Sequence, residues 1–269
     1  MILKNEIPIL EFDTDETQVI NPTHENLDIK LPKKAVFAFL DEHIERYAKE
    51  HNAFQITTFT SETKNYPVYV INHKGEDVCL CQAPVGAAPA TQILDWLIGY
   101  GVEEIITGGC CGALADFKEN VFIVPYKALR DEGTSYHYMK PSRFVEINKT
   151  AMKAIEKTIA EHGLEYREVI TWSTDGFYRE TKDKVAYRKQ EGCEVVEMEC
   201  SALAACAAFR NAIWGCILFT ADTLADTENY DERKWGADSF RYALELCLDA
   251  VVKIWIPKDK ILKEWLNWD

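Results

Sequence analysis

The chain is 269 residues long and sets 30 Lys and Arg against 44 Asp and Glu, a formal charge of −14, with 47% hydrophobic and 12% aromatic residues. A hydrophobic share close to that of ordinary globular proteins, with no biased tract, excludes intrinsic disorder and predicts one large domain. The acidic excess excludes nucleic acid and anionic membrane surfaces as main partners, because both are held through clustered Lys and Arg.

Ala202 to Phe219 is the most apolar stretch, but Arg210 and Asn211 divide it. It therefore predicts a buried helix followed by a buried strand, not a membrane span. Met1 to Leu10 carries Lys4, Asn5 and Glu6 without a continuous apolar core or a small-residue cleavage site, which points to a cytoplasmic protein. The nine cysteines, at 79, 81, 110, 111, 193, 200, 206, 216 and 247, form no CxxC pair and fall mostly inside apolar runs. That usage fits buried thiols in a reducing compartment. The six histidines, at 24, 43, 51, 73, 137 and 162, show neither HxxxH nor HxH spacing, so no metal is expected. His137, between Tyr136 and Tyr138, reads as a hydrogen-bonded loop residue.

From Lys33 onward, short β-branched or aromatic runs alternate with longer amphipathic segments, the pattern of an α/β layer fold. Strands are predicted at 35–40, 54–60, 67–72 and 77–83, then a helix at 88–100. A strand at 103–107 ends in Gly108-Gly109, and 120–126 reads as another before the polar loop RDEGTSYHY. A helix at 149–162 closes on Gly163. Strand 167–173, helix 178–191, strand 193–198, helix 200–210, strand 213–222 and a helix near 237–254 follow. Residues 1–32 read as an N-terminal extension and 33–269 as a single domain.

Ligands of α/β sheets gather at the carboxyl ends of strands, and four such ends carry polar residues. Thr107-Gly108-Gly109-Cys110-Cys111-Gly112 follows a strand, and its glycines would let backbone amides approach an anion or a sugar; a tight strand-to-helix turn would use the same residues. Ser173-Thr174-Asp175-Gly176-Phe177-Tyr178 runs from hydroxyls and a carboxylate into two rings able to stack on a planar heterocycle or to pack in a core. Glu197-Met198-Glu199 puts two carboxylates at a strand end, where one could accept from adjacent sugar hydroxyls or favour the next helix N-terminus. Asp222 closes the apolar strand IWGCILFTAD, where burial would raise its pKa and suit it to general acid work; capping the next turn is the other reading.

Together these segments resemble the nucleoside phosphorylase family, which includes purine nucleoside phosphorylases, uridine phosphorylases and methylthioadenosine/homocysteine nucleosidases. The resemblance spans about residues 33–254 and rests on VVEMECSAL at 195–203, ITGGCCGAL at 106–114, STDGFY at 173–178, TADTLA at 220–225 and RDEGTSYHY at 130–138, in the family's order. It implies a three-layer αβα sandwich with a central mixed, partly barrel-like sheet, and 33–269 as the catalytic domain. It also implies cleavage of a nucleoside N-glycosidic bond through an oxocarbenium-like transition state, in nucleoside catabolism or salvage.

The matching residues acquire roles from the resemblance. Glu199 and Met198 would hold the ribose, Phe177, Ser173 and Glu197 the base, and Asp222 would protonate the departing purine. Arg179-Glu180-Thr181-Lys182 lacks the Gln-Glu-Arg pattern by which uridine phosphorylases read a pyrimidine, so a purine is expected. No cofactor is implied, only phosphate as co-substrate, together with a homo-oligomer, dimer or hexamer.

At the nucleophile site the sequence departs from the family. Leu40 and Ile44 stand near the family's phosphate-binding glycine and arginine, Thr107 replaces a second arginine, and Cys110 a hydroxyl. Gly109 and its neighbours, Lys64 near an arginine lent by an adjoining subunit, and a relocated Arg46 or Arg130 remain for phosphate. The alternatives are water as nucleophile, with Asp41, Glu42, His43 or Glu45 to activate it, and a catalytically silent nucleoside binder.

Overall fold

The computed structural model describes residues 2–255; residues 256–269, the end of the expected 33–269 domain, lie outside the described residues. Strand β1 (Lys34–Ala38), helix α1 (His43–Glu50), strands β2 (Phe54–Thr60), β3 (Asn65–His73) and β4 (Glu76–Gln82), helix α2 (Ala87–Gly99) and strand β5 (Glu104–Ala113) come first. Strands β6 (Phe122–Asp131) and β7 (Phe144–Glu146), helix α3 (Lys149–Glu161), strand β8 (Tyr166–Thr174), helix α4 (Lys182–Gln190), strand β9 (Cys193–Glu197), helix α5 (Cys200–Phe209), strand β10 (Ile213–Thr223) and helix α6 (Phe240–Val251) follow.

Strands β10, β6, β8, β9 and β5 are neighbours in that order, and β5 pairs again with β10, so five strands close into a barrel. Strands β1, β4, β3 and β2 continue from β5 as an open sheet. Helix α2 packs on α5 and α3 on α6, completing the layers about the sheet. The parallel strands β1 and β10 are apolar nearly throughout because both of their faces are covered. Trp172, Trp214, Phe37 and Phe219 are the largest fully buried side chains. Gly215 lets α3 approach β10: a Cβ there would stand 2.7 Å from that of Ala151.

Three expectations change. The strand expected to stop at residue 107 runs to Ala113, because Thr107 to Cys111 pair in register with Cys216 to Thr220 of β10. The glycine run is thus a strand wall, not a loop. The strand expected at 120–126 reaches Asp131, drawn through the first residues of RDEGTSYHY by parallel pairing with β8, past a bulge between Pro125 and Lys127. The helix expected from 178 begins at Lys182, since Thr181 caps it by accepting from the Lys184 amide, and Phe177–Arg179 forms a separate 3-10 turn.

The N-terminal segment contacts α2 and the end of α5: Trp96 donates to Glu25 at 2.8 Å, Arg210 to Gln18 at 3.0 Å, and Leu31 is buried in the core. No helix among the described residues is long and apolar enough to cross a membrane.

Candidate active site

The carboxyl ends of β5, β9 and β10 and the 3-10 turn after β8 meet around a cavity of about 420 Å³. Of the residues singled out in the sequence, Thr107, Gly109, Cys110, Phe177, Glu197, Met198, Glu199 and Asp222 line it. Phe177, 43% exposed, stands at the mouth with Val85 and Trp235, both also exposed.

Asp222 is buried at the end of β10, where its Oδ2 accepts from the Tyr230 hydroxyl at 3.0 Å. Burial raises its pKa, against the opposing pull of Tyr230 and Arg233. Gly112 makes room for it: a Cβ there would stand 3.1 Å from Asp222 Oδ1 and 3.0 Å from both Leu224 and Val196. Gly112→Ala is therefore expected to shift the carboxyl and lower the rate of any reaction that uses it by about tenfold or more, with little change in secondary structure. Steady-state kinetics beside a circular dichroism spectrum checks this; an unchanged kcat would show that Asp222 needs no such fit.

Glu197 is occupied entirely by the protein. Its Oε1 accepts from Ser173 at 2.5 Å and Thr171 at 3.1 Å, and its Oε2 from the amides of Glu199 at 2.7 Å and Cys200 at 2.6 Å. Burial raises its pKa, and these donors act the other way. Ser173 is fully buried, absent from the cavity wall, and bonded to Glu197 and to the Ser201 amide. Glu197, on the cavity wall, and Ser173, behind it, together shape the β9 to α5 turn.

That turn aims Glu199 into the cavity, where its Oε1 accepts from the Gly86 amide at 2.5 Å. Gly86, at φ 104°, precedes α2 and adopts a backbone conformation that side-chain-bearing residues rarely take. Burial, then the charge of Glu197, pushes the Glu199 carboxyl up to about 8. Thr107 Oγ1 accepts from Trp214 Nε1 at 2.8 Å. Cys110 is the one exposed cysteine, opening into the cavity while the walls around it and the Asp222 and Glu199 charges push its thiol up to about 11.

The wall carries four carboxyl side chains, Glu180, Glu197, Glu199 and Asp222, and among the described residues no Lys, Arg or His. The cations expected to help are engaged elsewhere. Arg130 donates to Ser135, Ser142 and the carbonyls of Met139 and Lys140; Arg46 pairs with Glu42; Lys64, at the β2–β3 turn, lies over the Tyr66 ring. None of them lines the cavity, nor do Asp41, Glu42, His43 or Glu45. His43 stacks on Phe240 instead. Sequence reasoning missed Glu180, Trp235, Phe39 and Val85; only Glu180 carried a signal, its place directly after the Phe177 segment.

The chain belongs to the phosphorylase superfamily, whose family model matches residues 33–253. It is 24% identical over 202 residues to a relative named guanosine phosphorylase from Halorubrum lacusprofundi, covering 72% of this chain and 83% of that one. Among solved structures, uridine phosphorylase from Vibrio fischeri superposes with a TM-score of 0.70 at 21% identity, over 84% of this chain and 95% of that one. AMP nucleosidase from Bacteroides thetaiotaomicron gives 0.66 at 18%, over 88% and 91%.

Proposed function

We propose that the protein cleaves the N-glycosidic bond of a purine nucleoside and releases the free base. The observation that carries this reading is Asp222, a buried carboxyl with a raised pKa that opens on the same cavity as Glu199 and the Phe177 ring. Asp222 protonates the purine as it leaves, Glu199 accepts from the ribose hydroxyls with Met198 against the sugar, and Phe177 covers the base. Glu197 and Ser173 hold the turn that presents Glu199.

The cation-free wall favours water as the nucleophile. Positive charge develops on the sugar as the bond breaks, and a wall without Lys, Arg or His does not oppose it. Phosphate would find no described cation on this wall to offset its charge. In hydrolysis the water oxygen bonds to the anomeric carbon, the C–N electron pair leaves with the base, Asp222 gives the base a proton, and the attacking water returns one to Asp222.

Phosphorolysis to ribose 1-phosphate is the second reading, supported by the relative named a phosphorylase and by Lys64 on an outward turn, from which a second copy in a dimer or hexamer could supply a cation. Incubation with adenosine, inosine, guanosine and methylthioadenosine, with and without phosphate, separates the two. Base release without phosphate is expected. Release only with phosphate establishes phosphorolysis, and no release from any substrate overturns the proposal.

A further inference from the structure

We infer that Tyr230 is a positioning residue for the proposed reaction: its hydroxyl holds Asp222 by Oδ2 and supports the carboxylate that remains once the base has taken the proton. This rests on the reading of Asp222 as the general acid. The segment that carries Tyr230 is pinned at both ends. Thr223, the last residue of β10, donates its amide to the Asp231 carbonyl at 2.9 Å, and Glu119 accepts from the Lys234 and Gly236 amides at 2.9 Å each. Within the segment, Asp226 accepts from the Glu228 amide and the Asn229 side chain, closing the turn that brings residue 230 back to the end of β10. Tyr230 is 54% exposed, yet its hydroxyl reaches Asp222 Oδ2 at 3.0 Å. Oδ1 lies instead beside Gly112 of the cavity wall, where a Cβ would stand 3.1 Å from it.

As the base departs, the O–H bond of the Asp222 carboxyl breaks, an N–H bond forms on the purine, and the electron pair stays on a buried carboxylate. A donor to that carboxylate makes Asp222 a stronger acid. Burial, then the charge of Asp222, raises the Tyr230 phenol, so it is still protonated where the aspartic acid ionises. The other charged or titratable groups that face Asp222 do not take its place. Arg233, on the same segment, directs its guanidinium to the carbonyls of Phe117 at 2.7 Å and Ala221 at 3.4 Å, while Glu180, after the 3-10 turn, and Cys110 and Cys111, on β5, can only add negative charge. Tyr230 is thus the one side chain among the described residues that hydrogen-bonds Asp222. Its loss has a signature that a general loosening of the site lacks: the acid weakens, so it survives to higher pH while giving its proton more slowly.

Tyr230→Phe keeps the ring and removes the donor. Two measurements on the whole protein read the change: carbon-13 titration of the aspartate carboxyls, with the Asp222 resonance assigned by its disappearance in Asp222→Asn, and the pH profile of base release from adenosine, inosine, guanosine and methylthioadenosine with phosphate present. In the variant Asp222 is expected to titrate about half to one pH unit above its wild-type position, the effect of losing one hydrogen bond to a charged group from a half-exposed phenol. The alkaline limb of kcat/KM should move up by the same interval and kcat should fall by about threefold to tenfold, with KM within about twofold of the wild type. An Asp222 resonance or an alkaline limb that stays where it was, even with a lower kcat, overturns the inference. A wild type that releases no base from any of the four nucleosides overturns the proposed function whatever the resonance does, whereas release with an unmoved resonance or limb overturns the inference alone.

Discussion

Asp222→Asn is expected to lower kcat for purine nucleosides by at least about 10²-fold, the lower end of what general acid catalysis contributes. The substitution keeps the shape and an acceptor for the Tyr230 hydroxyl, so the fold and the cavity survive and only the proton is lost. The pH dependence follows from the direction of the shift. Burial raises the Asp222 pKa, so its acid form persists to higher pH than an ordinary aspartic acid and disappears as pH rises through the raised value. The wild-type rate should therefore fall on the alkaline side while the residual rate of the Asn variant stays flat there. A kcat equal to the wild type removes Asp222 from the chemistry.

Glu197→Ala should have the largest effect on stability. Four donors converge on this carboxyl inside the protein: the Ser173 and Thr171 hydroxyls and the Glu199 and Cys200 amides. Removing the acceptor leaves all four buried and unpaired, and each orphaned group costs about 1–3 kcal/mol before local relaxation or entering water recovers part of it. A net loss of about 3–5 kcal/mol corresponds to a fall in Tm of roughly 10 °C for a chain of this size. The same loss frees the turn that aims Glu199, so KM for nucleosides should rise in whatever protein remains folded. Glu197→Gln, which retains one acceptor oxygen, should lose less. A melting temperature within a degree of wild type in both variants would mean that the β9 to α5 turn is held by other contacts.

Where a segment's burial follows from its own composition, the sequence was a sound guide. The apolar runs at 35–40 and 213–222 became β1 and β10, and the helix expected at 149–162 became α3, which starts where Asn148 accepts from the Thr150 and Ala151 amides. Segments stabilised by a distant partner read wrongly. Glycine disfavours a strand by itself, yet Gly108 and Gly109 lie in β5 because β10 pairs with them and because Cys247 and Phe39 fill the space a Cβ would need. RDEG is polar and turn-like alone, but Arg130 and Asp131 pair with Ser173 and Thr174 of β8.

The same division runs through the site. Asp222, Glu199 and Phe177 could be picked out because a carboxyl or a ring at the end of an apolar strand is conspicuous in one dimension. Glu197 and Ser173 carried the same signal but spend their polar atoms on each other and on the β9 to α5 turn, and Glu180 carried almost none.

The sequence by itself determined that this is an acidic α/β protein with family motifs in order. These are properties of composition and local spacing. Only the tertiary structure decided that the barrel closes through a second pairing of β5, and that four carboxyls from three separate segments share one cavity while Arg130 and Arg46 are engaged outside it. The physical reason is that a carboxyl's pKa and its freedom to bind depend on the donors and charges around it, and those neighbours are brought together by long-range strand pairing that no local pattern encodes.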